Sequence, residues 1–514
     1  MNAVCCALGE FVKRTLLTSF IVAIVTISGG VCPAPIQGQE QATQISQRVD
    51  FGKRLRDWDG FGVTYVETHQ TRDFTKHEED YGGLSLLSPE KRQEVLALIF
   101  GGNGLKPSLI KMFLDPFHEG NTEADKGKFD HITTARWMNY FAKEGLALTR
   151  KRGDNLTIIG TLYGPPAWMT KQRFVRGRDL DPARMPDLGE YMISWVKYLR
   201  NSEGLPVKYI SPHNEGESAT RWDPEGKTPG SITSDHNMWW PPEQVVDFIK
   251  VVRPMLDKQA LGDVGVACGE TSSWVHFNSY GYPKAIMGDA EALHSLGLVT
   301  SHGFGQNYES EGTDVIEKMR PDLHSWTTSS TWGKMDAEFV DNIRGQIYED
   351  HINGYIPWAV IQRPGEWIGN DPNPGTAINV HEDGTYTLEP GYYLYKQVSR
   401  VGQAGMAIAD VSSPTDGVGL MGFAANGTRN PDAFVVINKS AVEKHISIQV
   451  EGSAAHSFSA IRSIPGEMYS GAGEFRIESG AVDYVAPAQS VTTFVGRYAR
   501  LSHTTGGAHE AVHN

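Results

Sequence analysis

The feature that most constrains this chain is a repeating beat. Between residues 59 and 363, eight short apolar runs, each ending in glycine or polar residues, alternate with longer amphipathic stretches. The runs are DGFGVTYVE (59–67), SLIKMFLD (108–115), LTIIGTLYG (156–164), VKYISPHNE (207–215), VGVACGETS (264–272), LVTSHGFGQ (298–306), LHSWTTSST (323–331) and YIPWAVIQR (355–363). Stretches such as PEKRQEVLALIFG (89–101), DLGEYMISWVKYLRN (187–201) and DAEFVDNIRGQIYEDHI (336–352) place apolar residues at helical spacing between them. Strands alternating with helices build a parallel sheet, and eight such units close into a (β/α)8 barrel. An open doubly wound sheet competes, but no Gly-rich phosphate loop follows the first run.

After about residue 407 the period changes. VGLMGFAA (418–425), AFVVINKS (433–440), HISIQVEG (445–452), EFRIES (474–479) and SVTTFVGR (490–497) are short, partly alternating and bounded by turn residues such as Asn426-Gly427 and Pro465-Gly466. That pattern predicts a β-sandwich. The expected fold is therefore α/β, with a (β/α)8 TIM barrel over 50–395, a C-terminal β-sandwich over 396–498, and a disordered polar tail over 499–514. No Pro/Ser-rich linker separates barrel and sandwich, so the two are expected to pack rigidly.

The N-terminal residues read differently. Lys13 and Arg14 precede the apolar run TLLTSFIVAIVTISGGV (15–31), and small and polar residues follow to about Glu40. A basic flank, a short apolar core and a small-residue exit describe a signal peptide over 1–39, hence a secreted or periplasmic mature chain with no stable membrane span after cleavage. Of the four cysteines (Cys5, Cys6, Cys32 and Cys268), only Cys268 lies well inside the mature chain, which excludes an internal disulfide there. The formal net charge of −14, with no basic stripe, argues against a nucleic-acid partner. No metal-ligand spacing and no cofactor motif stands out.

In such a barrel the C-terminal strand ends carry the site. Those ends supply Asp115, Trp168, Asn214 with Glu215, Glu270 with Trp274, His302 with Tyr308, Trp326, and Arg363 with Glu366. Carboxylates, amides and large flat rings are what the hydrolysis of sugars requires: one carboxyl to protonate the leaving oxygen, a second carboxylate, and rings to lie under the sugar faces. The expected ligand is a carbohydrate, and the stretch KQRFVRGRDLDPAR (171–184) with Arg221 adds positive charge near the mouth, which would favour an anionic sugar.

These residues carry a family resemblance. Asn214-Glu215 ending the fourth run, YGPPAWMTK (163–171) after the third, SHGFGQNY (301–308) after the sixth, and YYLYKQVSRVGQAGM (392–406) leading into the β-region resemble the (β/α)8 glycoside hydrolases of clan A, and family 30 within it. The resemblance spans about residues 55–498. It implies that Glu215 is the general acid/base and that Asn214 bonds the hydroxyl beside the reacting carbon. Position at or beyond the strand ends assigns Asp115, Trp168, Trp274, His302, Tyr308, Trp326, Ser329 and Arg363 to substrate binding, and the resemblance places Lys111 where the family often has an arginine. The acid role leads to the expectation that the Glu215 carboxyl is raised toward the working pH.

One position departs from the pattern. The family ends its seventh strand in a nucleophilic Glu, whereas here WTTS (326–329) places Ser329. A serine hydroxyl is a weak nucleophile without a base and carries no charge to stabilise an oxocarbenium ion. The second carboxylate then falls to Glu270, Glu366, Asp115, Glu338 or Asp336, or to a group on the substrate. Two other classes stand beside the hydrolase: a carbohydrate-binding pseudoenzyme, and a serine esterase using Ser329 with His302 or His324.

Overall fold

The computed structural model describes residues 44–68, 80–227, 236–363 and 375–498. Its centre is a closed parallel barrel of eight strands: β1 Gly60–Thr64, β2 Leu109–Leu114, β3 Thr157–Leu162, β4 Val207–Ser211, β5 Gly265–Ala267, β6 Leu296–Ser301, β7 Ser325–Ser330 and β8 Gly354–Pro357. Each overlaps one of the eight apolar runs, with β6 starting two residues and β8 one residue earlier. Gly62 pairs with Leu109, Leu109 with Thr157, Tyr209 with Gly265 and Val299 with Ser325, and the ring closes where Gly60 meets Gly354. The helices recognised from their spacing form at Pro89–Phe100, Met185–Asn201 and Ala337–Tyr348. Ser88 caps the first of these by accepting from Lys91 N, and Asp336 caps the last by accepting from Glu338 N.

The pleat sorts the barrel interior into layers. Leu109, Ile159, Ala267, Leu298, Trp326 and Ile356 form an apolar floor, with Tyr209 packed against it. Two residues further along, the same pleat aims Lys111, Thr161 and Thr300 inward, and the interior turns polar toward the C-terminal end.

The second domain is one nine-stranded, mostly antiparallel sheet. It curls so that strands from its opposite ends meet: Phe475 and Phe494 both pack on Tyr484, and Phe434 stacks on Phe494 at 4.6 Å. The result is sandwich-like, with its own apolar cluster around Val49, Phe434, Phe458 and Phe494. Two features differ from expectation. Strands also form at Ser457–Ile464 and Ala481–Ala486, where half-exposed residues weakened the alternation. Residues 50–57, expected at the start of the barrel, belong to the strand Ile45–Asp57, which sits inside the sheet between Ala407–Val411 (antiparallel) and Lys444–Glu451 (parallel). Its arginines and lysine hid it: Lys53 and Arg54 are exposed and Arg56 turns its guanidinium to Ile347 O, while Val49 and Phe51 face the core.

Barrel and sheet share one continuous core that runs from Phe61 and Tyr395 to Met421, Phe423 and Val491. Polar bonds cross the junction. Trp58 Nε1 donates to Gly402 O at 2.9 Å, Gly422 N donates to Tyr348 Oη at 2.9 Å, and Lys439 pairs with Asp341 at 2.6 Å. Cys268 is a buried free thiol, pushed up to about 11 by burial. Among the described residues no helix is long and apolar enough to cross a membrane. Residues 1–39, expected to be a signal peptide, and residues 499–514, expected to be a tail, lie outside the described residues.

Candidate active site

Strand β4 ends at Ser211, and the chain then turns so that Asn214 forms a single parallel bridge with Glu270 beyond β5. Glu215 N donates to Glu270 O at 2.6 Å, and Glu215 takes φ +45°. A left-handed conformation costs a non-glycine residue roughly 1–2 kcal/mol, so the surrounding bonds must hold it. The turn delivers the Glu215 carboxylate, 15 % exposed, to the barrel mouth.

Four side chains from four elements converge there. Glu215 Oε2 accepts from Arg221 Nη2 at 2.8 Å, and Oε1 lies 3.1 Å from His302 Nδ1. The opposite ring nitrogen, His302 Nε2, is 3.1 Å from Glu270 Oε2. Glu270 is sealed: Lys111 Nζ pairs with Oε2, and Thr161 Oγ1 donates to Oε1 at 2.5 Å. Lys111 also reaches Asn214 Oδ1 at 3.5 Å, and the side-chain amide of Asn237 lies 3.0 Å from the Asn214 amide and accepts from Arg221 Nη1 at 3.1 Å. Lys111 and Glu270 are completely buried and His302 is 1 % exposed.

The electrostatics follow from this packing. Burial pushes the Glu215 carboxyl up, but the hydrogen bond from His302 and the Arg221 charge outweigh it and hold the group well below the usual carboxylate range. That reverses the raised value expected from the acid role. Burial likewise pushes Glu270 up, and Lys111 with His302 draws it down to about 2. Beneath them, burial pushes His213 down to about 4.

The sequence-derived residues divide. Asn214, Glu215, Glu270 and His302 come together, with Lys111. Trp326 does not join them: it belongs to the barrel floor, where its indole donates to Asp59 at 2.6 Å. Trp274 is 1 % exposed, donates to Thr327 Oγ1 at 3.2 Å and packs on Phe277. Tyr308 packs against Gly345 on the outer helix. All three are framework side chains, because large rings beside a barrel strand fill the core as readily as they line a cleft. Asp115 is buried, accepting from Phe117 N and facing His118. Trp168 is buried under the Arg184 guanidinium. Arg363 bonds Ser85 Oγ at 3.2 Å. In the loop 171–184, Arg173, Arg178 and Arg184 each have a carboxylate partner, which removes that loop as a free positive surface.

None of the described candidates for the second carboxylate stands across an open cleft from Glu215: Asp115 is buried against His118. Glu270 cannot stand across a sugar from Glu215, because the His302 ring fills the interval and Glu270 has no exposed surface. Asp336 is spent as a helix cap, and Glu338 is an exposed residue in that helix's first turn; both line a surface hollow with Gly305 and Gln306. Glu366 lies outside the described residues. Ser329 follows a register shift in β7, between Thr327 and Ser330. Ser330 Oγ accepts from Gln346 on the outer helix, so the alternation turns Ser329 inward. Its hydroxyl is buried without a hydrogen-bond partner. His302 has both nitrogens engaged elsewhere, and His324 pairs with Asp59 near the floor of the barrel at 2.7 Å. Ser329 therefore has no base, which removes the serine esterase. No group of three or more metal-ligating side chains occurs among the described residues.

Asn237 was missed as a site residue, and Arg221 was read as charge near the mouth without its bond to Glu215. Both reach the site from loops, where periodicity carries no information. Lys111 did leave a signal, as a lone charge in an otherwise apolar strand.

Comparison with known proteins places this geometry. No family model matches the chain. It is 22 % identical over 385 residues to galactocerebrosidase of Macaca mulatta, covering 71 % of this chain and 48 % of that protein. It is 22 % identical over 354 residues to an endo-1,6-β-D-glucanase of Neurospora crassa, covering 61 % and 65 %. The chain thus spans about half the length of the galactocerebrosidases it matches. Among solved structures, a family 30 endoxylanase from Clostridium papyrosolvens superposes with a TM-score of 0.63 at 17 % identity, covering 88 % of this chain and all of that one. SrfJ from Salmonella typhimurium superposes with a TM-score of 0.69 at 14 % identity, covering 90 % and 94 %. In fold, the chain resembles the clan A glycoside hydrolases, family 30 in particular.

Proposed function

We propose that this chain hydrolyses O-glycosidic bonds in an oligosaccharide or polysaccharide, with Glu215 as general acid/base and Asn214 holding the hydroxyl beside the reacting carbon. The observation that carries this reading is the Glu215 carboxylate at the β4 end, partly exposed at the mouth beside Arg221 while His302 and Glu270 are sealed beneath it. The relatives' printed activities, on xylan, 1,6-β-glucan and galactocerebroside, support the substrate class. The signal-like residues 1–39 support work outside the cytoplasm or in the periplasm.

With Ser329 at the expected nucleophile position and Glu270 sealed, the attacking group falls to Glu366 or to the substrate itself. A panel of xylan, 1,6-β-glucan, a galactocerebroside and neutral and anionic oligosaccharides tests the proposal. Glu215→Gln should lose about 10²–10⁴-fold on poor leaving groups. Ser329→Ala should keep a measurable fraction, and Glu366→Gln should be inactive if Glu366 is the missing carboxylate. Early product stereochemistry by NMR adds a check: retention requires a nucleophile on the enzyme or the substrate, inversion a distant base. The uncharged, unpartnered Ser329 favours one second reading, a carbohydrate-binding pseudoenzyme. Tight glycan binding with no turnover of any member would establish it.

A further inference from the structure

Both ring nitrogens of His302 aim at carboxylates, Nδ1 at Glu215 Oε1 and Nε2 at Glu270 Oε2, each at 3.1 Å. A neutral imidazole has a single N–H. With both glutamates ionised, one of these contacts would set a bare nitrogen lone pair against a carboxylate oxygen, in a place only 1 % exposed. Such a contact is costly to bury. Glu270 is fixed as the carboxylate by Lys111 and by the Thr161 hydroxyl. The additional proton therefore belongs to the Glu215–His302 edge, either on Nδ1 or on Oε1.

The surroundings close the count. The charged and titratable groups facing His302 are Lys111 from β2, His213 and Glu215 from the β4 end, Arg221 through Glu215, and Glu270 from the β5 end. The Phe304 ring covers its remaining edge at 5.2 Å. One other arrangement uses a single N–H: Nδ1–H donates to Glu215 while Nε2 accepts from Lys111 Nζ at 3.4 Å. That contact is longer than the one to Glu270, and it leaves the bare nitrogen facing the carboxylate.

We propose that His302 is a positioning residue that holds, on Nδ1, the proton that Glu215 delivers to the leaving oxygen. The proposal rests on Glu215 as the general acid. The Nδ1–H bond breaks and an Oε1–H bond forms. Oε1–H then passes its proton to the glycosidic oxygen as that oxygen's bond to the anomeric carbon breaks. His302 is left neutral with its N–H on Nε2 toward Glu270, and water adding to the sugar returns a proton by the same route. A carboxylate held ionised at rest can then act as an acid, because the proton is stored one hydrogen bond away.

The test is nitrogen NMR on the full chain labelled with 15N-histidine, the His302 signals being identified by their loss in His302→Gln. The expected result in the unmodified protein at neutral pH is two protonated ring nitrogens; one protonated Nε2 with a protonated Glu215 carboxyl in a 13C-glutamate sample would put the resting proton on Glu215 and overturn the holding role. Glu270→Gln should move the loss of the shared proton, and the alkaline limb of kcat/KM, about one pH unit or more downward with KM unchanged. One N–H on His302 with Glu215 ionised, in a protein that cleaves glycans, would overturn the proton-holding role alone. Both protons present in a protein that cleaves no glycan would overturn the hydrolase reading and the delivery step with it.

Discussion

Lys111→Met tests the electrostatic core of the site most directly. Lys111 and Glu270 are both fully buried and paired. Holding Glu270 at about 2 in place of its ordinary 4.5 corresponds to about 3 kcal/mol of folding stability at neutral pH. Removing one partner of a buried pair costs about 3–5 kcal/mol, and His302 remains beside Glu270, which favours the lower figure. The sign is pH-dependent. In the parent the depressed carboxyl contributes stability above pH ~4.5 that is lost as pH falls toward 2. Without the lysine, burial dominates and raises the Glu270 carboxyl, so the variant loses stability as pH rises through the range from pH ~4.5 upward. The gap between parent and variant should be small near pH 4 and full by pH 7. With an unfolding entropy of about 2 cal/mol/K per residue over more than 400 ordered residues, 3–5 kcal/mol is about 3–5 °C in Tm. Scanning calorimetry from pH 4 to 8 reads it, and Lys111→Met/Glu270→Gln should recover much of the loss, because both charges are then gone. A gap that is flat with pH, or a double variant no better than the single, would refute the reasoning.

Three further outcomes follow from the same geometry. Arg221→Met removes a cation 2.8 Å from Glu215 and should move the alkaline limb of kcat/KM upward by about one pH unit, visible in a pH–rate profile. Ser329→Ala deletes a buried hydroxyl that has no partner, so Tm should hold or rise by an amount equivalent to about 1 kcal/mol, against the usual loss on trimming a core side chain. Trp326→Phe leaves Asp59 without its indole donor and thins the barrel floor; it should cost about 2–3 kcal/mol in urea unfolding with KM unchanged, whereas a raised KM would return Trp326 to the substrate.

The barrel was legible because it is written in one repeated device. Every strand is an apolar run closed by polar residues, and the closure and the C-terminal placement of the site follow from the count. Asn214 and Glu215 were legible for the same reason: a polar pair at a strand's end has no use in packing. The aromatic residues were not, since Trp274 and Trp326 carry the same sequence signal whether they fill the core or line a cleft, and only the pleat separates them. The charge state of Glu215 was hidden as well. It depends on Arg221, six residues along a loop, and on His302, two strands away. The strand Ile45–Asp57 escaped because its partners lie more than 350 residues downstream, beyond the reach of any local pattern.

That strand also orders events during synthesis. Asp57 pairs with Ala407 and Ile45 with Ile446, so the strand leaves the ribosome ahead of the whole barrel and waits about 350 residues for its neighbours. At 5–20 residues per second the wait is about 20–70 s. Throughout it, Val49 and Phe51 have no sheet to enter, and the strand's backbone offers two unpaired edges. Its density of charge, with Arg48, Asp50, Lys53, Arg54, Arg56 and Asp57 crowded into one strand, is what keeps such an edge from pairing with another nascent chain. Neutralising the exposed Lys53 and Arg54 should therefore leave the finished protein's stability nearly untouched while lowering the yield of soluble chain.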